Sequence, residues 1–90
     1  MLVTFDLAKR DATLAERGLD FADAVTVFAG VTLDWRDERA DYGEVRWITI
    51  GHLMERMVVV VWTARGESRH VISMRKANDR EQARFRDRLQ

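Results

Sequence analysis

An α+β fold is predicted for this 90-residue chain, and three features predict it. Residues 7–29 carry helical periodicity punctuated by glycine. Residues 31–77 change to strand-like alternation with short, glycine-marked connections. After Ala77 a capped, charged segment returns to helix. The expected order is a short N-terminal strand, two helices, an antiparallel β-meander of about four strands and a C-terminal helix. A chain of this length has room for one core, so residues 1–90 form a single domain.

Met1–Phe5 is β-prone and long enough for an edge strand. Asp6 can accept from the first free amides of a helix over Leu7–Arg17, with Ala8, Ala12 and Ala15 on one stripe and Gly18 as the stop. Lys9 falls in the first turn, where the helix dipole disfavours a cation. Asp20, followed by Asp23, opens a second helix, and Leu19 and Ala24 can pack across its start as a staple. Phe21, Ala24, Val25 and Phe28 recur there at i, i+3, i+4 and i+7, the clearest core face in the chain. Gly30 ends it.

From Val31 the period shortens. Val31–Trp35 reads as the first meander strand, and Asp37–Tyr42 as a charged loop. Gly43–Gly51 is the second strand, with Glu44 and Arg46 on one of its faces. Arg56–Thr63 is apolar on both sides, as a central strand covered from both faces would be. Arg65–Ser68 makes a tight turn around Gly66, and Ser68–Ala77 follows as the last strand. Strict alternation gives that strand two faces. Arg69, Val71, Ser73 and Arg75 share a cationic face, and His70, Ile72, Met74 and Lys76 a mostly apolar one. Asn78 and Glu81 have capping-box spacing for a helix over Asp79–Leu89. Its apolar anchors are only Ala83, Phe85 and Leu89, so it is expected to dock weakly or on a partner. The two early helices should cover one sheet face and leave the other partly open.

The balance of 47% hydrophobic and 33% charged residues indicates a folded chain rather than a disordered one. There is no cysteine, which removes disulfides and thiolate metal sites. Neither a cleavable leader nor an apolar run of about 18 residues is present, so a cytoplasmic location is expected. Net charge is zero, but it is unevenly spread. Residues 1–44 hold five Lys/Arg against ten Asp/Glu, and residues 45–90 hold ten against five. A basic surface built from the later strands and last helix would produce that split. Charge complementarity within one small fold would produce it equally.

The familiar catalytic signatures are missing: no G-x-S-x-G, no phosphate-cradling glycine loop and no H-E-x-x-H. His52 is expected at a hairpin tip in solvent, and His70 packed on the apolar side of its strand. Two histidines without a clear carboxylate partner make no metal site, and Asp34, Asp37, Glu38 and Asp41 match no cation-binding loop. No metal or other cofactor is expected. What remains is arginine chemistry, centred on Glu44, Arg46, Arg69 and Arg75. Guanidinium groups fixed on strands can hold a phosphodiester bidentately and stabilise the extra charge of its pentacoordinate transition state. RNA carries its own nucleophile, the 2′-hydroxyl, so cleavage without a metal needs orientation, charge stabilisation and modest proton transfer. Glu44 suits a base in that scheme. On spacing alone, an ion pair with Arg46 or Arg75 is the favoured reading of Glu44.

Several segments share order and spacing with one family. They are F-D-L-A-K at Phe5–Lys9, R-G-L-D-F-A-D-A-V-x-V-F at Arg17–Phe28, D-Y-G-E-V-R at Asp41–Arg46, Ile50-Gly51, V-V-W-T-A-R at Val60–Arg65, and R-H-V-I-S-M-R-K-A at Arg69–Ala77, with Glu81 beyond. Together they resemble the BrnT family of bacterial toxins, small proteins with a RelE-like fold, over nearly the whole chain. The resemblance implies the toxin of a type II toxin–antitoxin pair, an endoribonuclease that arrests translation. It implies a ribbon-helix-helix, BrnA-like antitoxin as partner, with operator DNA bound only through the complex and no membrane association. Glu44, Arg46, Arg69 and Arg75 carry over as catalytic, and Lys9, Arg65 and Lys76 as RNA contacts. The chain departs from many relatives at Phe5-Asp6-Leu7, Thr13 and Glu16-Arg17-Gly18, where they have Trp-Asp-Pro, Asn and Lys-His-Gly. Arg17 keeps a positive charge but cannot serve as an acid or base near neutral pH. That loss sustains an alternative, in which a catalytically weak protein chiefly binds the antitoxin and modulates operator repression.

Overall fold

The computed structural model describes residues 1–90. Capping chemistry sets the helices. After β1 (Leu2–Phe5), Asp6 accepts from the amides of Ala8 and Lys9 and opens α1 (Leu7–Arg17); Gly18 closes it in the left-handed region at φ 70°. Asp20 caps a single 3₁₀ turn, Phe21–Asp23, which leads into α2 (Ala24–Ala29). The expected second helix is therefore split between two helix types, and its core face changes: Phe21 and Ala24 are buried as expected, Phe28 is partly buried, but Val25 is turned out to solvent and Val27 takes the core position.

The remaining strands are β2 (Leu33–Arg36), β3 (Trp47–Leu53), β4 (Arg56–Arg65) and β5 (Ser68–Lys76). They form one sheet in the order β1-β5-β4-β3-β2. β2 to β5 are an antiparallel meander, and β1 joins β5 in parallel. α3 (Asp79–Phe85) follows, with both halves of the Asn78/Glu81 capping box formed, and the last turn, Arg86–Leu89, is 3₁₀. The α+β order predicted from the sequence is thus observed.

The sheet has a core on each face. Phe21, Ala24 and Val27 pack with Val58, Val60, Trp62, Val71 and Met74 on one side. On the other, Phe85 and Leu89 cover Ile50, Met57 and Val59, and Phe85 stacks on Trp35 at 5.6 Å. Burying those two side chains stabilises the docked helix by roughly 1.5–3 kcal/mol each. The C-terminal helix therefore docks on its own sheet, held by two anchors. It covers only the β2–β4 end of that face and leaves the β5 end open. At Gly51 the layers come so close that an added Cβ would lie 2.9 Å from Val27 Cγ1.

One irregularity in β5 reverses an expectation. Val61 pairs with Ser73 but Trp62 pairs with Val71, so Ile72 is an extra residue in a β-bulge. An inserted residue shifts the side-chain alternation by one. Val71 and Met74, three apart, consequently point into the same core. Arg69 sits across from Ala64 on that same face, whereas Arg75, across from Val59, is on the other. The two arginines do not share a face. His70, Ser73 and Arg75 share the open face instead.

Three further expectations shift. β3 begins at Trp47, four residues later than read from Gly43, so Glu44 and Arg46 belong to the preceding loop. His52 is inside β3, paired with Met57; the hairpin tip is Met54-Glu55, both at positive φ. Asp37, expected in a solvated loop, is buried.

Candidate functional site

The open face is framed by α3 on one side and by the loop of residues 37–46 on the other. Two contacts fasten that loop: the Asp37 amide donates to the Arg46 carbonyl at 2.8 Å, and Thr63 Oγ1 donates to the Val45 carbonyl at 2.7 Å. Asp37, with its side chain 1% exposed, accepts from Arg39 Nε and Nη2, both at 2.7 Å, and from the Arg39 amide. That pairing lowers its pKa from an ordinary 3.8 to about 2, against the opposing effect of burial. Tyr42 lies under Arg46, whose guanidinium carbon is 4.0 Å from the ring centroid. The loop walls an open cleft of about 400 Å³ lined by Tyr42, Glu44 and Arg46 among other residues.

Glu44 and Arg46 are neighbours, with Glu44 Oε1 3.5 Å from Arg46 Nε, too long for a strong hydrogen bond. Arg46 Nε is the one buried side-chain nitrogen or oxygen without a hydrogen-bond partner. The anticipated Glu44–Arg75 pair does not form. Arg75 instead donates to both oxygens of Glu81, at 2.7 and 2.8 Å, and this bidentate bond raises the arginine's pKa and lowers the carboxylate's. Arg39, for which no sequence motif speaks, is close enough to oppose the rise in the Arg75 pKa.

His70 is the residue that sequence reasoning misplaced. It pairs with Thr63 on β4 and Thr4 on β1, and its Nδ1 is 2.9 Å from Thr4 Oγ1. Partial burial lowers its pKa, with Arg65 acting in the same direction and Glu44 opposing. Counting residues along β5 without the bulge sends His70 to the apolar side; its cross-strand threonines show the polar one.

The other expected residues divide between the faces. Arg65, at the end of β4, is exposed and acts on His70, as does Lys9 from the first turn of α1. Arg69 stacks over Trp62 at 4.2 Å and Phe28 at 4.6 Å on the helix-covered face. Lys76 is exposed at the end of β5, on the face Arg69 occupies. Arg17 donates Nη1 to the Met74 carbonyl at 3.0 Å and so ties α1 to β5. No group of three or more His, Asp or Glu side chains is arranged to hold a metal ion.

The open face therefore joins fixed guanidinium groups with a carboxylate and an imidazole. Such a set can bind a phosphodiester and move a proton. A search of curated proteins gave no match. The family model described as "Ribonuclease toxin, BrnT, of type II toxin-antitoxin system" matches residues 5–81, nearly the whole fold. The chain belongs to the BrnT family of ribonuclease toxins of type II toxin–antitoxin systems.

Proposed function

We propose that this toxin is a metal-independent endoribonuclease, cleaving RNA on the open face by attack of the RNA's own 2′-hydroxyl and so halting translation in the cytoplasm. The observation that carries the reading is the arrangement of Arg39, Arg46, Arg65 and Arg75 around one uncovered sheet surface that also holds Glu44 and His70. Guanidinium groups stay protonated at any physiological pH and offer paired N–H donors to phosphate oxygens. Arg46, half-buried and lacking a partner at Nε, is the best placed to take up transition-state charge. Arg75 joins it once an RNA phosphate competes with Glu81. Arg65 and Lys9 draw in the RNA backbone. Arg69 and Lys76, on the opposite face, have no part in the chemistry. The partner is a ribbon-helix-helix antitoxin, and the complex binds operator DNA.

The direct test is RNA cleavage by the purified protein in excess chelator, comparing the wild type with Arg46→Ala and Arg65→Ala variants that fold normally. Chelator-resistant cleavage, lost in Arg46→Ala and weakened in Arg65→Ala, is the expected result. Intact RNA, with growth unaffected by expression, would overturn it.

One observation favours a second reading: Arg75 is already held by Glu81 and Arg69 is on the wrong face, so half of the expected catalytic set is engaged elsewhere. A catalytically weak protein whose main task is antitoxin binding and operator repression would show those features. It predicts a complex that binds operator DNA tightly and an isolated protein that is harmless.

A further inference from the structure

We infer that His70 is the general base of this ribonuclease, taking the proton of the attacking 2′-hydroxyl through Nε2 while Thr4 holds its other ring nitrogen. The inference rests on the ribonuclease reading and assigns the proton transfer within it. Its first support is geometric. His70 is on the open face, and Nδ1 is anchored 2.9 Å from Thr4 Oγ1. Nε2 has no protein partner. The sole buried side-chain nitrogen or oxygen without a partner is Arg46 Nε, so Nε2 reaches solvent. A ring fixed at one nitrogen and free at the other is oriented for proton transfer.

Its second support is that the neighbouring groups are committed. Arginines do not titrate near neutral pH. Glu81 is held by Arg75 and by the Asn78 amide, and Asp37 by Arg39. Glu44 is paired, loosely, with Arg46. Of the titratable groups at the open end of this face, His70 is the one with a free ring nitrogen; His52, the other histidine on this side of the sheet, is at the far end of β3 beside the β3–β4 turn.

Charged groups reach it from each neighbouring element. Burial, the largest influence, lowers its pKa below the ordinary 6.5; Arg65 on β4 and Lys9 on α1 act the same way, and Glu44 and Asp6 oppose them. The neutral form, which is the basic form, therefore prevails at neutral pH. The assignment uses the tautomer in which Nδ1–H donates to Thr4 Oγ1, which leaves the lone pair on Nε2. The 2′-hydroxyl proton passes to Nε2 as the O2′–P bond forms. The P–O5′ bond then breaks, and the departing O5′ takes a proton from water. The products are a 2′,3′-cyclic phosphate and a 5′-hydroxyl, and His70 returns its proton to solvent. Glu44 faces the imidazolium while it exists.

The experiment is single-turnover cleavage of a short RNA oligonucleotide from about pH 5 to pH 8 by wild type, His70→Gln and Thr4→Val, with binding of a 2′-deoxy analogue measured alongside. Wild type should show a rate that rises with pH, with its midpoint below 6.5. His70→Gln should lose about 100-fold or more in rate and lose the rising limb, with analogue binding unchanged. Thr4→Val removes an acceptor that favours the imidazolium, so the limb should move to lower pH and the rate fall. Wild-type rate and limb in His70→Gln, with cleavage still lost in Arg46→Ala, would overturn the assignment and leave the ribonuclease reading standing. RNA left intact by wild type would overturn both. Should His70→Gln fail to fold, a flat wild-type profile overturns the assignment and a rising limb that moves in Thr4→Val supports it.

Discussion

Glu81 serves two structures with one carboxylate: it grips the Arg75 guanidinium at 2.7 and 2.8 Å and accepts the Asn78 amide that opens α3. The strand that carries the candidate site and the helix that partly covers its face are thus locked together. Glu81→Gln keeps the size and removes the charge. Because Arg75 is 43% exposed, solvent screening limits the expected loss to about 1 kcal/mol in urea unfolding. The folded-state pKa of Glu81 is depressed below its ordinary 4.5, so this contribution is present at neutral pH and lost as the pH falls below that value. The same substitution frees Arg75, and RNA should bind more tightly at low salt in a titration. Unchanged affinity would show that Arg75 does not meet RNA.

Asp37 holds the loop that walls the cleft. Its folded pKa of about 2, against 3.8 ordinarily, means that its stabilisation is complete above 3.8 and disappears as the pH falls to about 2. With Arg39 mostly exposed, Asp37→Asn is expected to cost about 1 kcal/mol at neutral pH. Unfolding of the two proteins at neutral pH should differ by that amount, and the difference should vanish at about pH 2.

Arg69 is bound to the fold by Trp62 and Phe28. Arg69→Ala should lower the unfolding free energy by about 1–2 kcal/mol through lost stacking, and leave the cleavage rate of the folded protein unchanged. A large fall in rate with normal stability would return Arg69 to the site.

How far the sequence reveals this molecule depends on how local each signal is. Asp6, Gly18, Asn78 and Glu81 act within a few residues, and the helices they bound fall where the sequence puts them. Phe21 and Ala24 hold their expected core places, but with a 3₁₀ first turn the 3.6-residue count drifts, and Val27 rather than Val25 faces the core. The site was less legible. A single bulge at Ile72 decides which of Arg69, His70 and Arg75 share a face, and it shows only in the pairing of β5 with β4, which counting along β5 alone does not reveal. Likewise Val45 and Arg46 look like strand, but Asp37 and Thr63, distant in sequence, fasten them as a loop.

The β3–β4 turn is another place where local preference loses. Met54 and Glu55 have φ of 50° and 66°, a region that disfavours side chains, between the paired residues Leu53 and Arg56. Met54→Asn with Glu55→Gly suits that geometry and should stabilise the protein by about 1 kcal/mol, read as a raised thermal midpoint. No gain would mean that the turn conformation carries little strain.

Attack by the RNA's own 2′-hydroxyl on the open face would leave its mark on the cut ends. The most direct measurement is the chemistry of the ends left when the purified toxin cuts RNA in excess chelator. The expected ends are 2′,3′-cyclic phosphates and 5′-hydroxyls. Ends bearing 3′-hydroxyls and 5′-phosphates, or cutting that stops when metal is removed, would contradict it.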